Sequence, residues 1–178
     1  MTAKAFPGVV LVGFMGSGKS SVGREIAHRT GAGFVDMDAW IEKKEGRAVR
    51  DIFSEYGEAV FRSIEKAALG EILVVKGQIV AAGGGAFLDK EGQMLMKAYA
   101  PVVYLEVKAE TALIRLAGNI QRPLLQVEDR NAAARSLLDR RISEYSKADY
   151  AVSTDESTVP EIAGRIIDFL ERQEVGGA

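Results

Sequence analysis

Two rhythms of apolar and polar positions run along this chain. Short, continuous apolar runs, rich in β-branched residues, recur at 9–12, 34–35, 79–82, 102–105 and 151–153. Each is too short for a helix, and such runs predict strands buried on both faces of a parallel sheet. Between them lie stretches whose apolar positions repeat every three or four residues. These predict helices over about 19–30, 39–44, 49–56, 58–75, 90–98, 109–117, 131–147 and 159–172. In the third, Val49, Ile52, Phe53 and Tyr56 share a face; in the fourth, Phe61, Ile64, Ala68 and Ile72 do. Gly31 or Gly33 is expected to end the first helix, and Gly46 marks a break. Asn131 is placed to cap the seventh helix, and Thr158-Val159-Pro160-Glu161 reads as a capping box opening the last. Only 118–130 is aperiodic. Strand and helix alternate throughout, so the expected class is α/β, a mostly parallel sheet with helices on both faces.

The first strand and first helix are joined by Gly13-Phe14-Met15-Gly16-Ser17-Gly18-Lys19-Ser20. This is G-x-x-x-x-G-K-S, the phosphate-binding loop pattern, in its proper strand-to-helix context. Glycines let the backbone turn tightly and converge its N–H groups. The helix N-terminus behind them adds a partial positive charge of about half a unit, and the two together seat phosphate oxygens. The pattern predicts that Lys19 reaches the β- and γ-phosphates of a nucleotide and that the Ser20 hydroxyl ligates Mg²⁺.

Composition narrows the remaining choices. The 178 residues are 47% hydrophobic and 27% charged, which suits a single domain, 1–178, with a sizeable core. A net charge of -2 supplies no field to gather nucleic acid or an anionic membrane. No apolar run approaches the roughly 20 residues of a membrane span, so a cytoplasmic location is the expectation. The absence of cysteine excludes disulfides, cysteine zinc sites and thiol nucleophiles. The lone histidine, His28, lies in the first helix and is read as structural or exposed, which leaves no Ser-His-Asp triad.

Ligands of such sheets bind beyond the carboxyl ends of the strands. The phosphate loop, Asp36/Asp38 and Gly83-Gly84-Gly85 each follow a strand, so all three are expected in one crevice. Asp36 and Asp38, two apart at a strand end, are expected to share a face. One would serve Mg²⁺ and the other an attacking hydroxyl; the rival reading makes Asp38 a cap for the next helix. The glycine triplet either admits a ligand or is a flexible turn. Arg62 has Glu58 and Glu65 within reach on its helix, as in an ordinary surface ion pair. Arg141 shares a face with Leu137, Leu138 and Tyr145, and so either binds a carboxylate or snorkels to water. Arg122, in the aperiodic stretch, is a candidate lid arginine or an exposed loop residue.

As a set these residues resemble the shikimate kinase family. The phosphate loop, Asp36-x-Asp38, Phe61-Arg62, the glycine triplet, Arg122-Pro123-Leu124-Leu125 and Arg141-x-x-x-Tyr145 follow its order and approximate spacing over about 9–167. Many nucleotide-binding proteins share the loop; the later motifs make the match specific. The resemblance implies a three-layer α/β/α phosphate-loop kinase fold with five parallel strands ordered 2-3-1-4-5. It implies transfer of the ATP γ-phosphate to the 3-hydroxyl of shikimate, giving shikimate 3-phosphate and ADP. Position by position, it implies that Gly13, Met15, Gly16, Ser17, Gly18, Lys19, Ser20, Ser21, Arg115 and Arg122 hold ATP. Ser20 and Asp36 would form the Mg²⁺ shell. Asp38, Arg62, Arg141 and Gly83, Gly84 and Gly85 would hold shikimate, with Asp38, Lys19 and Arg122 catalytic. Residues 37–65 would be the substrate-binding segment and 117–130 a lid. The partner implied is a small molecule, not nucleic acid or membrane, and the chain is expected as a monomer. One departure from other phosphate-loop enzymes stands out. Ala82-Gly83 occupies the end of the third strand, where a metal-shell carboxylate often sits, so Asp36 must supply it. The alternatives are a kinase for another small hydroxy acid such as gluconate, or a non-catalytic nucleotide-binding regulator. The latter predicts erosion of Lys19, Asp38 or Arg122, all of which are present.

Overall fold

The computed structural model describes residues 6–117 and 129–176. Five parallel strands form its sheet: β1 (Val9–Val12), β2 (Phe34–Asp36), β3 (Ile79–Ala81), β4 (Val102–Glu106) and β5 (Tyr150–Ser153). Their order is β2-β3-β1-β4-β5, as the resemblance implied. The central strand β1 pairs Val10 with Val80 on one side and with Val102 on the other. All four of its residues are buried, which is why no polar residue interrupts the run.

Side chains alternate between the two faces of a strand, and two cores result. Val9 and Leu11 pack with Val22 and Ile26 of α1 (Lys19–Thr30) and with Ile162, Ile166 and Leu170 of α7 (Val159–Gly176). Val10 and Val12 face the other way. They join a larger core with α2 (Met37–Glu45), α3 (Val49–Ile72), α4 (Lys90–Tyr99), α5 (Ala109–Leu116) and α6 (Arg130–Tyr145). The layers are therefore α/β/α.

Some local expectations hold and others need correction. Gly31, not Gly33, closes α1 in the left-handed conformation at φ 71°. Asp129 rather than Asn131 caps α6, accepting from Ala132 N at 2.9 Å, so the helix starts one residue earlier. Asp36 and Asp38 do not share a strand face: β2 ends at Asp36 and α2 opens at Met37. The cap of α2 is Asp36, accepting from Ala39 N at 3.3 Å, which leaves Asp38 in the first turn. The expected capping box forms. Glu161 accepts from Thr158 N at 2.7 Å, and Thr158 Oγ1 accepts from Glu161 N at 3.4 Å. The two helices expected over 49–56 and 58–75 are present: they are the two arms of α3, which ends at Ile72 and is kinked at Gly57 (φ 81°, ψ 173°). That conformation is essentially restricted to glycine. Arg122 and most of the expected lid lie outside the described residues.

Candidate active site

The phosphate loop obtains its shape from three glycines at positive φ: Gly13 (144°), Gly16 (76°) and Gly18 (91°). Two of them also lack room for a side chain. A Cβ on Gly13 would stand 2.6 Å from the Leu105 carbonyl oxygen, and one on Gly16 would stand 2.8 Å from that of Ala112. Lys19 folds back over the loop, its Nζ donating to the Gly13 and Phe14 carbonyls at 2.9 and 3.1 Å. The Ser20 hydroxyl donates to the Asp36 carboxylate. Two hard oxygen ligands thus stand together at the helix N-terminus. Mg²⁺ is held by one or two carboxylates together with phosphate oxygens and waters, so this pair fits it. No group of three acidic, histidine or cysteine side chains suited to a metal occurs among the described residues.

Beyond the loop a cleft of about 760 Å³ opens at the carboxyl ends of the strands, within the usual range for small-molecule sites. Met15, Gly16, Gly18, Lys19, Ser20 and Ser21 line one end; Asp36 and Asp38 lie beside them; Arg62, Gly84, Gly85 and Arg141 line it too, as does Arg115. The convergence expected from strand ends is therefore present. Gly13, Ser17 and Gly83 do not line the cleft. Ser17 is buried, and its hydroxyl has no hydrogen-bond partner.

The arginines are held by different means. Arg62 pairs with Glu58 at 3.0 Å and more closely with Glu65. The helical spacing foresaw this, but the pair is not a surface one: Glu65 is only 2% exposed. Burial raises the Glu65 pKa above the ordinary carboxylate value and outweighs the opposing pull of Arg62; Asp38 raises it further and Arg141 lowers it. Asp38, Arg62, Arg141 and Glu65 all line the one cleft. The glycine triplet makes room for these side chains. A Cβ on Gly83 would overlap the Glu65 carboxylate, and one on Gly85 the Arg62 guanidinium.

Arg141 does not snorkel. It is 6% exposed and donates to the Gly84 carbonyl at 3.3 Å, and no carboxylate of the described residues forms an ion pair with it. A buried guanidinium so placed is poised for an anionic ligand. Arg115 braces the phosphate-loop end of the cleft. It donates to Thr154 Oγ1 at 3.0 Å, to the Thr154 carbonyl at 2.5 Å and to Gly16 O at 3.3 Å. It thereby ties the end of β5 to the loop.

Sequence reasoning undervalued several residues. Glu65 looked like one partner of a surface ion pair, because spacing reveals reach and not burial. Phe53 and Phe61, centroids 5.8 Å apart, supply an apolar wall; periodicity had assigned them to a core face. Glu42 also lines the cleft and accepts from Val49 N at 2.9 Å, capping α3 from α2. No local motif signals that cross-link.

A five-stranded parallel sheet in this order, with a phosphate loop after its central strand and the cleft beyond, defines the class: a phosphate-loop small-molecule kinase. The family model "Shikimate kinase" matches residues 15–171. Shikimate kinase from Thermodesulfovibrio yellowstonii is 39% identical over 168 residues, covering 94% of this chain and 97% of that protein. The Thermus thermophilus enzyme is 41% identical over 172 residues, with coverages of 96% and 94%. The solved structure of the Acinetobacter baumannii enzyme, in complex with shikimate, superposes with a TM-score of 0.90 at 36% identity over 94% of each chain. The chain belongs to the shikimate kinase family. A gluconokinase from Sinorhizobium meliloti, at TM-score 0.62 and 22% identity over 96% of this chain and 95% of its own, shares the fold alone.

Proposed function

We propose that this protein transfers the γ-phosphoryl group of ATP to the 3-hydroxyl of shikimate, giving shikimate 3-phosphate and ADP. The observation that carries this reading is that Asp38, Arg62, Arg141 and the buried Glu65 line the same cleft as Lys19 and Ser20. Two guanidinium groups suit the carboxylate of the acceptor, and the aromatic wall of Phe53 and Phe61 suits its carbocycle. Asp38 would orient the 3-hydroxyl and accept its proton as the oxygen attacks in line. Lys19 would turn from the loop carbonyls to the β- and γ-phosphates, and Arg115 would lie at the base. Arg122, outside the described residues, would add charge stabilisation from the lid at 117–130. Ser20 and Asp36 would hold Mg²⁺, which when bound neutralises charge on the phosphates. The chain is read as one kinase domain, a cytoplasmic monomer whose partner is its small-molecule substrate. No helix of the described residues is long and apolar enough to cross a membrane.

Gluconate phosphorylation is the weaker reading. Its support is a shared fold, whereas close relatives by sequence are shikimate kinases. ADP release measured with shikimate, gluconate and other hydroxy acids decides: turnover with shikimate far above the rest is expected, and a preference for gluconate would refute the proposal.

A further inference from the structure

Gly84 stands between the phosphate loop and Arg141. A Cβ built on Gly84 would stand 3.6 Å from Gly13 O and 3.9 Å from Met15 N in the phosphate loop, and 3.7 Å from an Nη of Arg141. The Gly84 carbonyl accepts from the Tyr145 hydroxyl at 2.5 Å and, more weakly, from Arg141 at 3.3 Å. Tyr145 is fully buried, its ring stacked on Tyr104 at 5.1 Å and 25°. It does not line the cleft, so it touches no ligand there.

The geometry of the peptide unit makes this contact consequential. The Gly84–Gly85 bond is trans, so a carbonyl drawn toward Tyr145 turns the Gly85 N–H to the opposite side. Gly85 is buried and lines the cleft. Among the described residues no acceptor receives its N–H. An unpaired N–H in a buried residue is costly and rare, and a ligand oxygen satisfies it. The same hydroxyl spares Arg141, whose own bond to this carbonyl is long; its other guanidinium donors stay available for an anion. Burial pushes the Tyr145 hydroxyl above its ordinary pKa, so it remains a donor at neutral pH.

We infer that Tyr145 is a positioning residue: its hydroxyl anchors the Gly84 carbonyl inward, aiming the Gly85 N–H at the acceptor substrate and fixing Arg141 beside it. This rests on reading that end of the cleft as the acceptor site. Tyr145→Phe keeps the ring and its stack and removes only the hydroxyl. The expected result is a rise of about tenfold in the shikimate KM, the scale of one lost hydrogen bond, with the ATP KM unchanged. The thermal midpoint should fall by only about 2–4 °C. Tyr104→Leu is the packing control: its midpoint should fall further while its shikimate KM stays parental. In the parent protein labelled with ¹⁵N-glycine, the Gly85 amide should shift on adding shikimate, and in Tyr145→Phe that shift should shrink. Parental KM values in Tyr145→Phe, or equal rises in both, would overturn the inference. So would a Gly85 amide that stays still in the parent, a measurement that stands even if the variant fails to fold. A parent protein that does not phosphorylate shikimate would instead remove the acceptor reading itself, and this inference with it.

Discussion

Residues with the same charge have unequal roles here, and their surroundings explain why. Asp36 is committed to the cap of α2 and to Ser20, whereas Asp38, two residues on, lines the cleft together with Glu65 and the arginines. Asp38→Asn should therefore lower kcat by orders of magnitude and leave ATP binding intact; near-normal turnover would remove Asp38 from the reaction. Arg141→Ala should raise the shikimate KM far more than the ATP KM, and steady-state kinetics with each substrate varied in turn would show it. Glu65 has the opposite acid–base profile to a surface carboxylate. Burial, its largest influence, raises its folded pKa above the unfolded value, so between those values the native state binds more protons than the unfolded chain. Stability from this group is then full below the unfolded pKa and declines as pH climbs through the folded one. Melting curves from acid to neutral pH should show that decline in the parent and lose it in Glu65→Gln. The reach of these side chains could be read from spacing, but their burial could not, because it depends on β3, α3 and α6 meeting above the sheet.

At the scale of elements, the helices and strands were legible wherever periodicity and turn chemistry agreed. The Thr158–Glu161 box is one example, since both of its bonds are local. Thr158→Ala should cost about 1 kcal/mol and lower the melting point by roughly 2–4 °C. The boundary at Asp36–Met37 was misplaced because an aspartate can cap a helix or extend a strand, and only the hydrogen bond to Ala39 decides between them. Gly57 shows a related limit. The apolar pattern on either side predicts two helices, but the bend between them exists only as a pair of dihedral angles reserved for glycine. Nothing lies within 4 Å of a Cβ built at Gly57, so Gly57→Ala should cost backbone strain alone, about 1–3 kcal/mol. Because the bend separates Phe53 from Phe61 and Arg62, the shikimate KM should rise as well. Chemical denaturation and steady-state kinetics on that variant would measure the two effects.

For the molecule as a whole, binding should feed back on folding. A nucleotide that engages the loop only in the native state stabilises it by about 2.7 kcal/mol at 100 times its dissociation constant. Thermal shift with ATP should report this in the parent, and Lys19→Met should abolish most of it. The strand-helix alternation, the phosphate loop and the candidate chemistry of the cleft were all present in the sequence, because hydrophobic period, glycine torsion and capping act over a few residues. The folded molecule alone decided that Glu65 is buried against Arg62, that Tyr145 meets a carbonyl 61 positions away, and that Arg115 clasps the end of β5. Those contacts join distant segments through the packing of two cores on one sheet, and no local pattern encodes such a distance.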